Sequence, residues 1–441
     1  TLSTAQPPII YTTQAGDFLH ALAARFGVMP SQITSETAYS ELELIPPGTV
    51  VYIPDVLGEH SPGTTILPDS EIVFSPSALD FDIQKFVNDA GGYLKEYKEY
   101  LSSGWANGAE VIARVAIENS INPRLLLALV EYQSKWVYGQ PTNLADTDYP
   151  MGYVNPQYPR LYRQLSWAVS QLSIGYYGWR AGILADLTFT DKAGLRIAPE
   201  VNAGSVALQY LFSRLYDRGG WNRALYGEDS LAALFERMFG DPWLRAQTVE
   251  PLYPITLKQP DFVLPYLPGH VWEYTGGPHS AWGPDGALAA LDFAPPTDGV
   301  GCMPTSEWAT AIGPGVVVRS ANGVVVVDMD GDGYEQTGWA ILYLHIATDG
   351  RIPVGTTVSV NDRIGKPSCE GGRSTGTHLH IARKYNGEWI LADGPVPFTL
   401  SGWRAIAGGL PYEGYLSKDN LVVEANQYRS STADIPRPKE E

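Results

Sequence analysis

The chain has 441 residues, 44% of them hydrophobic and 18% charged, a balance that excludes wholesale disorder, collagen and coiled coil. Lys and Arg number 30 against 48 Asp and Glu, and the net charge of −18 argues against nucleic acid or an anionic lipid surface as a partner. The longest uncharged apolar runs, such as residues 125–130, fall far short of the roughly 20 residues that span a bilayer. At roughly 100–200 residues per domain, the length predicts about two to four domains.

The chain begins at Thr1 without a Met or an apolar targeting segment, so we expect a mature or trimmed chain. Its two cysteines, Cys302 and Cys369, both lie in the C-terminal third. This usage fits either one disulfide in an exported domain or two buried thiols. The sequence leaves the oligomeric state open.

The N-terminal region reads as a small module with a strand at Tyr11, a turn at Gly16, an N-cap at Asp17, a helix ended by Gly27 and a returning strand within residues 44–54. This pattern resembles the LysM module, a β-α-α-β domain, and we assign it residues 8–56. The resemblance implies binding to N-acetylglucosamine polymers such as peptidoglycan or chitin. A generic small α/β cap is the alternative.

Residues 57–80 are rich in turn-forming residues and lack a helical period, so they are predicted to be a linker. Residues 81–250 are predicted to form an all-α middle domain. Its predicted helices are Phe81–Leu101, Glu110–Ser120, Pro123–Tyr138, Tyr162–Leu187, Val201–Tyr216 and Asp229–Phe239.

Two segments of this middle domain, 121–134 and 199–211, resemble core helices of lysozyme-like transglycosylases. In that family the catalytic acid is the Glu of a Glu-Ser pair, and here the pair is Gln133-Ser134. Because an amide cannot protonate a glycosidic oxygen, we expect a lysozyme-like scaffold without glycosidase activity that binds glycan or acts as a spacer. The alternatives are a residual glycosidase that uses Glu131 or Glu118, and an unrelated helical bundle.

Histidines are concentrated in the C-terminal region, where five of the seven fall between residues 270 and 380. Segment 377–382 has a strand pattern, which places His378 and His380 on one face about 6–7 Å apart. Another predicted strand, 342–346, carries Tyr343 and His345 on one face. Such a density of imidazoles favours a metal site, although a His-x-His pair alone is often an ordinary strand face.

In chain order, the polar positions are His279, Asp292 thirteen residues later, His345, and the pair His378 and His380. This succession resembles the lysostaphin-type zinc endopeptidases that cut peptidoglycan peptides, over about 110 residues. The long first spacing resembles the staphylolysin branch, which also has paired cysteines. The resemblance implies an antiparallel β-rich metallopeptidase domain, which we assign to residues 254–428.

Carried over position by position, the resemblance makes His279, Asp292 and His380 the zinc ligands. Two nitrogens and one carboxylate oxygen leave a fourth position open, as a catalytic zinc requires. His345 and His378 would be the catalytic residues, one accepting a proton from water and the other stabilising the oxyanion or protonating the leaving amine. Which histidine has which role stays open, and His270 competes with His279.

A second cation site is conceivable at Asp328, Asp330 and Asp332, which occupy positions 1, 3 and 5 of an EF-hand-like loop. Trp339 stands at position 12, where such a loop carries a bidentate Glu, and predicted strands flank the segment. Calcium binding and a solvated acidic hairpin tip are therefore both open. The polar, proline-containing tail 429–441 is predicted to be disordered.

The predicted fold is a multidomain α+β chain with a LysM module, a lysozyme-like middle domain and a zinc metallopeptidase domain. The predicted function is a secreted or cell-wall-associated endopeptidase that hydrolyses peptidoglycan stem or cross-bridge peptides. A catalytically inactive peptidoglycan-binding scaffold or amidase activator is the alternative. A bifunctional hydrolase is disfavoured by Gln133.

Overall fold

The computed structural model describes residues 7–254 and 256–440. Two compact units are present, one of Thr1–Ile255 with Trp282–Gly286, the other of Thr256–Ala281 with Ala287–Glu441. Within the described residues, no helix combines the length and apolar character needed to cross a membrane.

The first unit starts with β1 (Ile9–Thr12), α1 (Leu19–Phe26) and β2 (Val50–Ile53). The two strands pair antiparallel, and the helix packs on them through a small buried core. Gly27 ends α1 in the left-handed conformation, as predicted. Where the predicted β-α-α-β module has a second helix, the chain forms one 3₁₀ turn, Pro30–Gln32.

The N-cap prediction for Asp17 is wrong, because Phe18 holds that position and makes no side-chain cap. The buried Asp17 carboxylate instead lies 2.6 Å from the Arg25 guanidinium and accepts a hydrogen bond from the Tyr11 hydroxyl. Burying a carboxylate without a cationic partner costs more free energy than leaving a helix N-terminus without a side-chain cap.

Residues 57–80 are not the free linker that the sequence predicts. The Ser61 amide donates to the Arg196 carbonyl, and the Ile66 amide donates to the Ser205 hydroxyl. Leu67 and Ile72 are fully buried. The turn-forming residues of this segment separate apolar side chains that pack on distant helices, a long-range effect that local composition does not reveal.

Helices and two short hairpins complete the first unit, so the all-α prediction is wrong. The helix predicted over Phe81–Leu101 breaks at Gly91 and Gly92, where a Cβ on Gly92 would lie 2.4 Å from the Val137 carbonyl oxygen. The elements are α2 (Ile83–Ala90), α3 (Tyr93–Glu96), β3 (Lys98–Leu101), β4 (Gly104–Asn107), α4 (Gly108–Asn119), α5 (Pro123–Ser134), α6 (Leu144–Asp148), α7 (Arg160–Ala181), β5 (Asp186–Thr188), β6 (Gly194–Arg196), α8 (Ala203–Ser213), α9 (Arg218–Tyr226), α10 (Leu231–Phe239) and α11 (Pro242–Ala246).

The second unit is an antiparallel β domain, as predicted. Its strands are β7 (Val271–Ser280), β8 (Leu288–Ala294), β9 (Ala309–Thr310), β10 (Gly315–Ala321), β11 (Val324–Asp328), β12 (Trp339–Leu344), β13 (Thr357–Val358), β14 (Arg363–Gly365), β15 (Leu379–Tyr385), β16 (Glu388–Trp389), β17 (Thr399–Leu400), β18 (Trp403–Ala407), β19 (Gly414–Lys418), β20 (Leu421–Glu424) and β21 (Asp434–Pro436).

The main sheet has the strand order β13-β10-β11-β12-β15-β8-β7-β21, with β16 beside β15. A smaller sheet runs β17-β18-β19-β20. Strand β21 pairs with β7, and Ile435 is fully buried, so the prediction of a disordered tail over 429–441 is wrong. Ile435 is the one buried position of this strand, between the half-buried Asp434 and the exposed Pro436, which is why the polar composition of the segment hides the strand.

Strand register separates the core from the site. On one face of the main sheet, Leu291, Tyr343 and Ile381 are buried in the hydrophobic core. The adjacent positions belong to the opposite face, where His380 pairs with Leu344 on one side and with Asp292 on the other. Polar groups from neighbouring strands therefore converge on the side of the sheet away from the core.

Candidate metal centre and active site

Asp292 and His380 lie directly opposite each other in the central strands β8 and β15. Their side chains point to the same face because paired residues of an antiparallel ladder share a face. Both are buried, with 7% of Asp292 and 5% of His380 exposed. His380 lies in the segment that the sequence predicts as a strand, whereas no strand is predicted around Asp292.

His279 reaches the same face through an irregularity in β7. Gly276 pairs with Asp292 and His279 pairs with Ala290, so three steps along β7 match two steps along β8. This bulge shifts the alternation by one residue and turns His279 towards Asp292. A Cβ on Gly276 would lie 2.8 Å from Asp292 Oδ2, so glycine leaves room for the carboxylate.

The three predicted ligand side chains form a compact triangle. His279 Nε2 lies 3.0 Å from His380 Nδ1 and 3.2 Å from Asp292 Oδ1, and His380 Nδ1 lies 3.3 Å from the same oxygen. A tetrahedral zinc bound at roughly 2.0–2.1 Å holds its ligand atoms about 3.3 Å apart. The triangle therefore has the dimensions of a zinc site.

Hydrogen bonds on the outer side of each ring fix which nitrogen faces the triangle. His279 Nδ1 lies 2.8 Å from the Gly277 carbonyl oxygen, and His380 Nε2 lies 3.1 Å from the Ala281 carbonyl oxygen. A carbonyl accepts only, so each of these nitrogens carries the hydrogen and each inner nitrogen presents a lone pair. Asp292 Oδ1 has no hydrogen-bond partner among the described residues. Three acceptors thus face one another, an arrangement that fits a cation.

His345 joins this face because of its own backbone conformation. It follows the last residue of β12 and has φ of 65°, in the left-handed region. The strand alternation ends there, so the prediction that Tyr343 and His345 share a face is wrong. Tyr343 lies in the core and its hydroxyl accepts the Ile312 amide, whereas the His345 ring centroid lies 6.2 Å from that of His380.

His378 completes the group of five predicted residues. Its ring centroid lies 4.4 Å from that of His345, and its Nε2 lies 3.7 Å from Asp292 Oδ2. His378 Nδ1 donates to the Gly376 carbonyl, and His345 Nδ1 donates to the Glu370 carbonyl, both at 2.8 Å. Each ring therefore keeps Nε2 free to exchange a proton.

Burial and charge set the protonation of these groups. Burial lowers the pKa of His345 to about 3, and the nearby His378 and His380 act in the same direction, so this ring is neutral near neutral pH. Burial also lowers the pKa of His380. Burial alone would raise the pKa of Asp292, but His279 and His378 bring it well below its usual range. A lowered pKa favours the neutral imidazole of His380 and the ionised carboxylate of Asp292, the forms that bind a metal.

A disulfide between Cys302 and Cys369 connects two loops beside these histidines. The Gly301 carbonyl accepts the Thr377 amide next to His378, and Glu370 follows Cys369. The disulfide alternative of the sequence analysis is therefore the one observed. His270, the competing histidine, lies apart from the group and pairs with Glu307 at 2.7 Å.

Tyr412 contacts the site without any signal in the sequence. Its ring stacks on that of His279 at 4.1 Å between centroids, and its backbone carbonyl accepts the Gly277 amide. Tyr412 follows β18 in an irregular turn, so no periodic pattern indicates its place. Tyr412 and His279 are far apart in sequence, and only the folded structure brings their rings into contact.

The three carboxylates of the acidic loop, Asp328, Asp330 and Asp332, also lie close together. One oxygen of each is within 4.8 Å of the others. Each carboxylate accepts backbone amides of the same loop. Asp328 accepts the amides of Asp330 and Gly333, Asp330 accepts that of Asp332, and Asp332 accepts that of Tyr334. These hydrogen bonds account for the order of the hairpin tip. Calcium gains no support from them and stays a prediction.

In the middle region, the alternative acids have structural partners. Glu131 accepts the amides of Val137 and Tyr138 and so holds the turn that follows α5. Glu118 binds Arg114 and the Tyr162 hydroxyl. The Gln133 side-chain oxygen accepts a hydrogen bond from the Tyr216 hydroxyl.

Comparison with known proteins finds named peptidases among the sequence relatives. Residues 65–253 match the family model of the LasA N-terminal domain. Protease LasA of Pseudomonas aeruginosa is 26% identical over 365 residues, covering 78% of this chain and 79% of that protein. Beta-lytic metalloendopeptidase of Achromobacter lyticus is 28% identical over 172 residues, 37% of this chain and 43% of that protein.

Solved structures resemble the chain over shorter stretches. The metalloprotease pseudoalterin from the deep sea is 25% identical, with 38% of this chain and 96% of that chain covered and a TM-score of 0.32. The catalytic domain of lysostaphin from Staphylococcus simulans is 22% identical, with 27% and 87% covered and a TM-score of 0.20. With the two named sequence relatives and the His–Asp–His group, the chain is a metalloendopeptidase.

Proposed function

We propose that the chain is a zinc-dependent endopeptidase that hydrolyses amide bonds of peptidoglycan stem or cross-bridge peptides. The observation that carries the proposal is the meeting of three lone-pair acceptors, His279 Nε2, His380 Nδ1 and Asp292 Oδ1, within 3.3 Å of one another. Two further imidazoles border this triangle. The relatives contribute the peptidase class, and lysostaphin is described as an antimicrobial peptidase.

His279, Asp292 and His380 would hold the metal, which when bound supplies Lewis-acid polarisation of the scissile carbonyl and a more acidic water. The carbonyls of Gly277 and Ala281 keep both imidazoles in the tautomer that binding needs. Main-chain acceptors hold this orientation without adding a titrating group.

His345 and His378 supply the proton transfers in this proposal. Each ring is fixed by a hydrogen bond from Nδ1 to a backbone carbonyl, so Nε2 is the atom that exchanges the proton. His345 is the more buried ring, and burial keeps it neutral, which suits the general base. His378, with 17% of its side chain exposed, suits stabilisation of the oxyanion and proton delivery to the leaving amine.

The proposal places this activity outside the cytoplasm, because a disulfide connects the loops around the histidines and such bonds persist in oxidising compartments.

It also assigns glycan binding to the module over residues 8–56, supported by its paired strands and packed helix. The middle region has a scaffolding role without glycosidase chemistry, since Glu131 and Glu118 are engaged in structural contacts.

Two measurements on purified protein test the proposal. We expect about one zinc per chain by elemental analysis, and new amino groups released from peptidoglycan by the metal-loaded protein. An inactive scaffold or amidase activator would release none alone. Release of reducing ends or anhydromuropeptides would show a glycosidase in the middle region and contradict its scaffolding role.

A further inference from the structure

Four cations lie in the stretch 351–373, which follows His345 and contacts it through Ser368 and Glu370, and we call them the basic rim: Arg351, Arg363, Lys366 and Arg373. They occur within 23 residues of a chain that carries 48 acidic and 30 basic residues. None of them forms an ion pair with a carboxylate among the described residues. Four cations without a counter-charge among the described residues therefore lie in one short stretch beside the proposed catalytic His345, where an anion from outside would neutralise them.

Backbone contacts tie two rim residues to the segment that contains His345. The Lys366 carbonyl accepts the Ala347 amide at 2.9 Å, and the Ser368 amide donates to the His345 carbonyl at 2.7 Å. Lys366 precedes Ser368 by two residues, so it lies about 6–7 Å along the chain from the position paired with His345. Arg351 donates from Nη1 to the Ile346 carbonyl at 3.2 Å.

Arg373 lies between residues that contact both catalytic candidates. A Cβ on Gly372 would be 3.5 Å from His345 Cε1, and Ser374 Oγ lies 3.3 Å from His378 Nδ1. The Arg373 side chain is exposed and makes no hydrogen bond with the described residues. Its segment is anchored four residues earlier by the Cys369 disulfide. The Arg373 guanidinium is therefore open to solvent in a segment that adjoins both catalytic candidates.

Arg363 and Lys366 both contact the Trp308 ring, at 4.7 Å and 5.4 Å from its centroid. Such contacts orient cations without neutralising their charge. Of the acidic groups in the same stretch, Asp362 accepts the Ser359 amide and Glu370 accepts the Thr348 amide and hydroxyl. Asp349 is exposed and lies beyond ion-pair distance of the rim.

We propose that the basic rim binds a carboxylate of the peptide substrate on the His345 side of the scissile bond, so that the preferred substrate is an acidic peptide. The inference rests on the proposed function and adds a substrate class to it. Arginine and lysine form charge-assisted hydrogen bonds with carboxylates, whereas an uncharged peptide would leave the rim without a partner.

The test compares one polymer in two forms, native peptidoglycan and peptidoglycan whose free carboxyls have been amidated with carbodiimide and ammonia. The readout is the rate at which the zinc-loaded protein releases new amino groups. We expect the native polymer to be cut about fivefold faster or more, and the ratio to fall about two- to fivefold in Arg373→Gln and in the double variant Arg363→Gln/Lys366→Gln. Melting temperature and zinc content show whether each variant is folded.

Lys258→Gln is the matched control, since it removes the same charge from an exposed residue whose neighbour Gln259 binds Thr399 rather than the His345 loops. It should keep the wild-type ratio. Equal rates on both polymers, or rim variants that keep the full ratio, would overturn the inference while leaving the peptidase intact. If the wild-type protein cut neither polymer, the proposed function itself would be the part that fails.

Discussion

His345 adopts the left-handed backbone conformation, which is uncommon for residues other than glycine, and this conformation brings its ring to the site. Such strain persists only where the surrounding structure enforces it, here through hydrogen bonds to Glu370 and Ser368. Residue order predicted which side chains the fold brings together, because histidine and aspartate are the types a zinc site uses. The place of His345 depends on one φ angle, which residue type does not encode.

Substitution should separate the two roles among the histidines. His345→Asn, which suits the left-handed backbone, is expected to lower kcat/KM by about 10²–10⁴ while zinc content stays unchanged. His380→Ala should lose the metal, because it removes one of three proposed ligands. Elemental analysis and peptidoglycan cleavage, measured on the same preparations, check both outcomes.

His270→Ala serves as the control for these variants, since His270 pairs with Glu307 away from the triangle. It should keep both zinc and activity. Loss of zinc in His270→Ala, with retention in His380→Ala, would show that the ligand assignment is wrong.

Among the elements, β7 illustrates what strand prediction leaves out. The sequence indicates a strand around His380, and the structure has it as β15, beside the strand β8 that carries Asp292. The bulge that turns His279 inward depends on contacts from outside the strand. A Cβ on Gly277 would lie 2.3 Å from the Glu413 carbonyl oxygen, a neighbour 136 positions away in sequence. Local patterns cannot reveal such contacts.

Gly277→Ala should therefore displace the bulge and weaken metal binding. We expect the free energy of unfolding to fall by roughly 1–3 kcal/mol, as for other overpacked sites, and the zinc affinity to fall with it. Calorimetry of unfolding and of zinc binding measures the two effects. Gly299→Ala, whose added methyl would meet only Met303 at 3.6 Å, is the control and should behave as wild type.

A buried charge cluster crosses the main sheet at Glu335. Its carboxylate lies 2.8 Å from Arg319 Nε of β10 and 2.5 Å from Lys384 Nζ of β15. Burial would raise the pKa of Glu335, but Lys384 and Arg319 hold it below its usual value. Because the folded pKa lies below the unfolded one, the cluster stabilises the fold above about pH 4.3 and loses this effect as pH falls through the folded pKa.

Glu335→Gln should cost about 3–5 kcal/mol of unfolding free energy at pH 7, because Lys384 would remain buried without its counter-charge. The difference from wild type should shrink as the pH falls below about 4. Urea unfolding at several pH values measures it. Glu424→Gln, an exposed carboxylate of β20, should change stability by less than about 0.5 kcal/mol, and an equal effect of the two substitutions would contradict the role of the cluster.

At the scale of the whole molecule, the disulfide closes a long segment. Cys302 and Cys369 are 67 residues apart, and the closed loop contains β9 to β14. Cysteine spacing alone could not decide between a bond and free thiols, since the outcome depends on how near the fold brings the two side chains. The same holds for residues 57–80, whose apolar side chains pack only on helices distant in sequence.

Cys302→Ser/Cys369→Ser should lower the free energy of unfolding by about 4 kcal/mol through the freedom gained by the unfolded loop. Activity should fall as well, because Glu370 and Gly376, which orient the two catalytic candidates, lie in the loop after Cys369. Denaturant unfolding and cleavage assays on the double variant check both. Unchanged activity would show that the loop keeps its place without the cross-link.

The N-terminal module shares its packing with the helices. Arg25 donates to the Trp179 carbonyl, Arg196 donates to the Ala24 and Arg25 carbonyls, and a Cβ on Gly182 would lie 2.6 Å from Ala21 Cα. Because of this packing, a polymer strand bound by the module would be held at a fixed distance from α7, without the freedom that a flexible linker would allow. Removing residues 1–56 would expose the surface around Gly182. We therefore expect the shortened protein to be less soluble, while the distance over which it can act on a polymer stays the same.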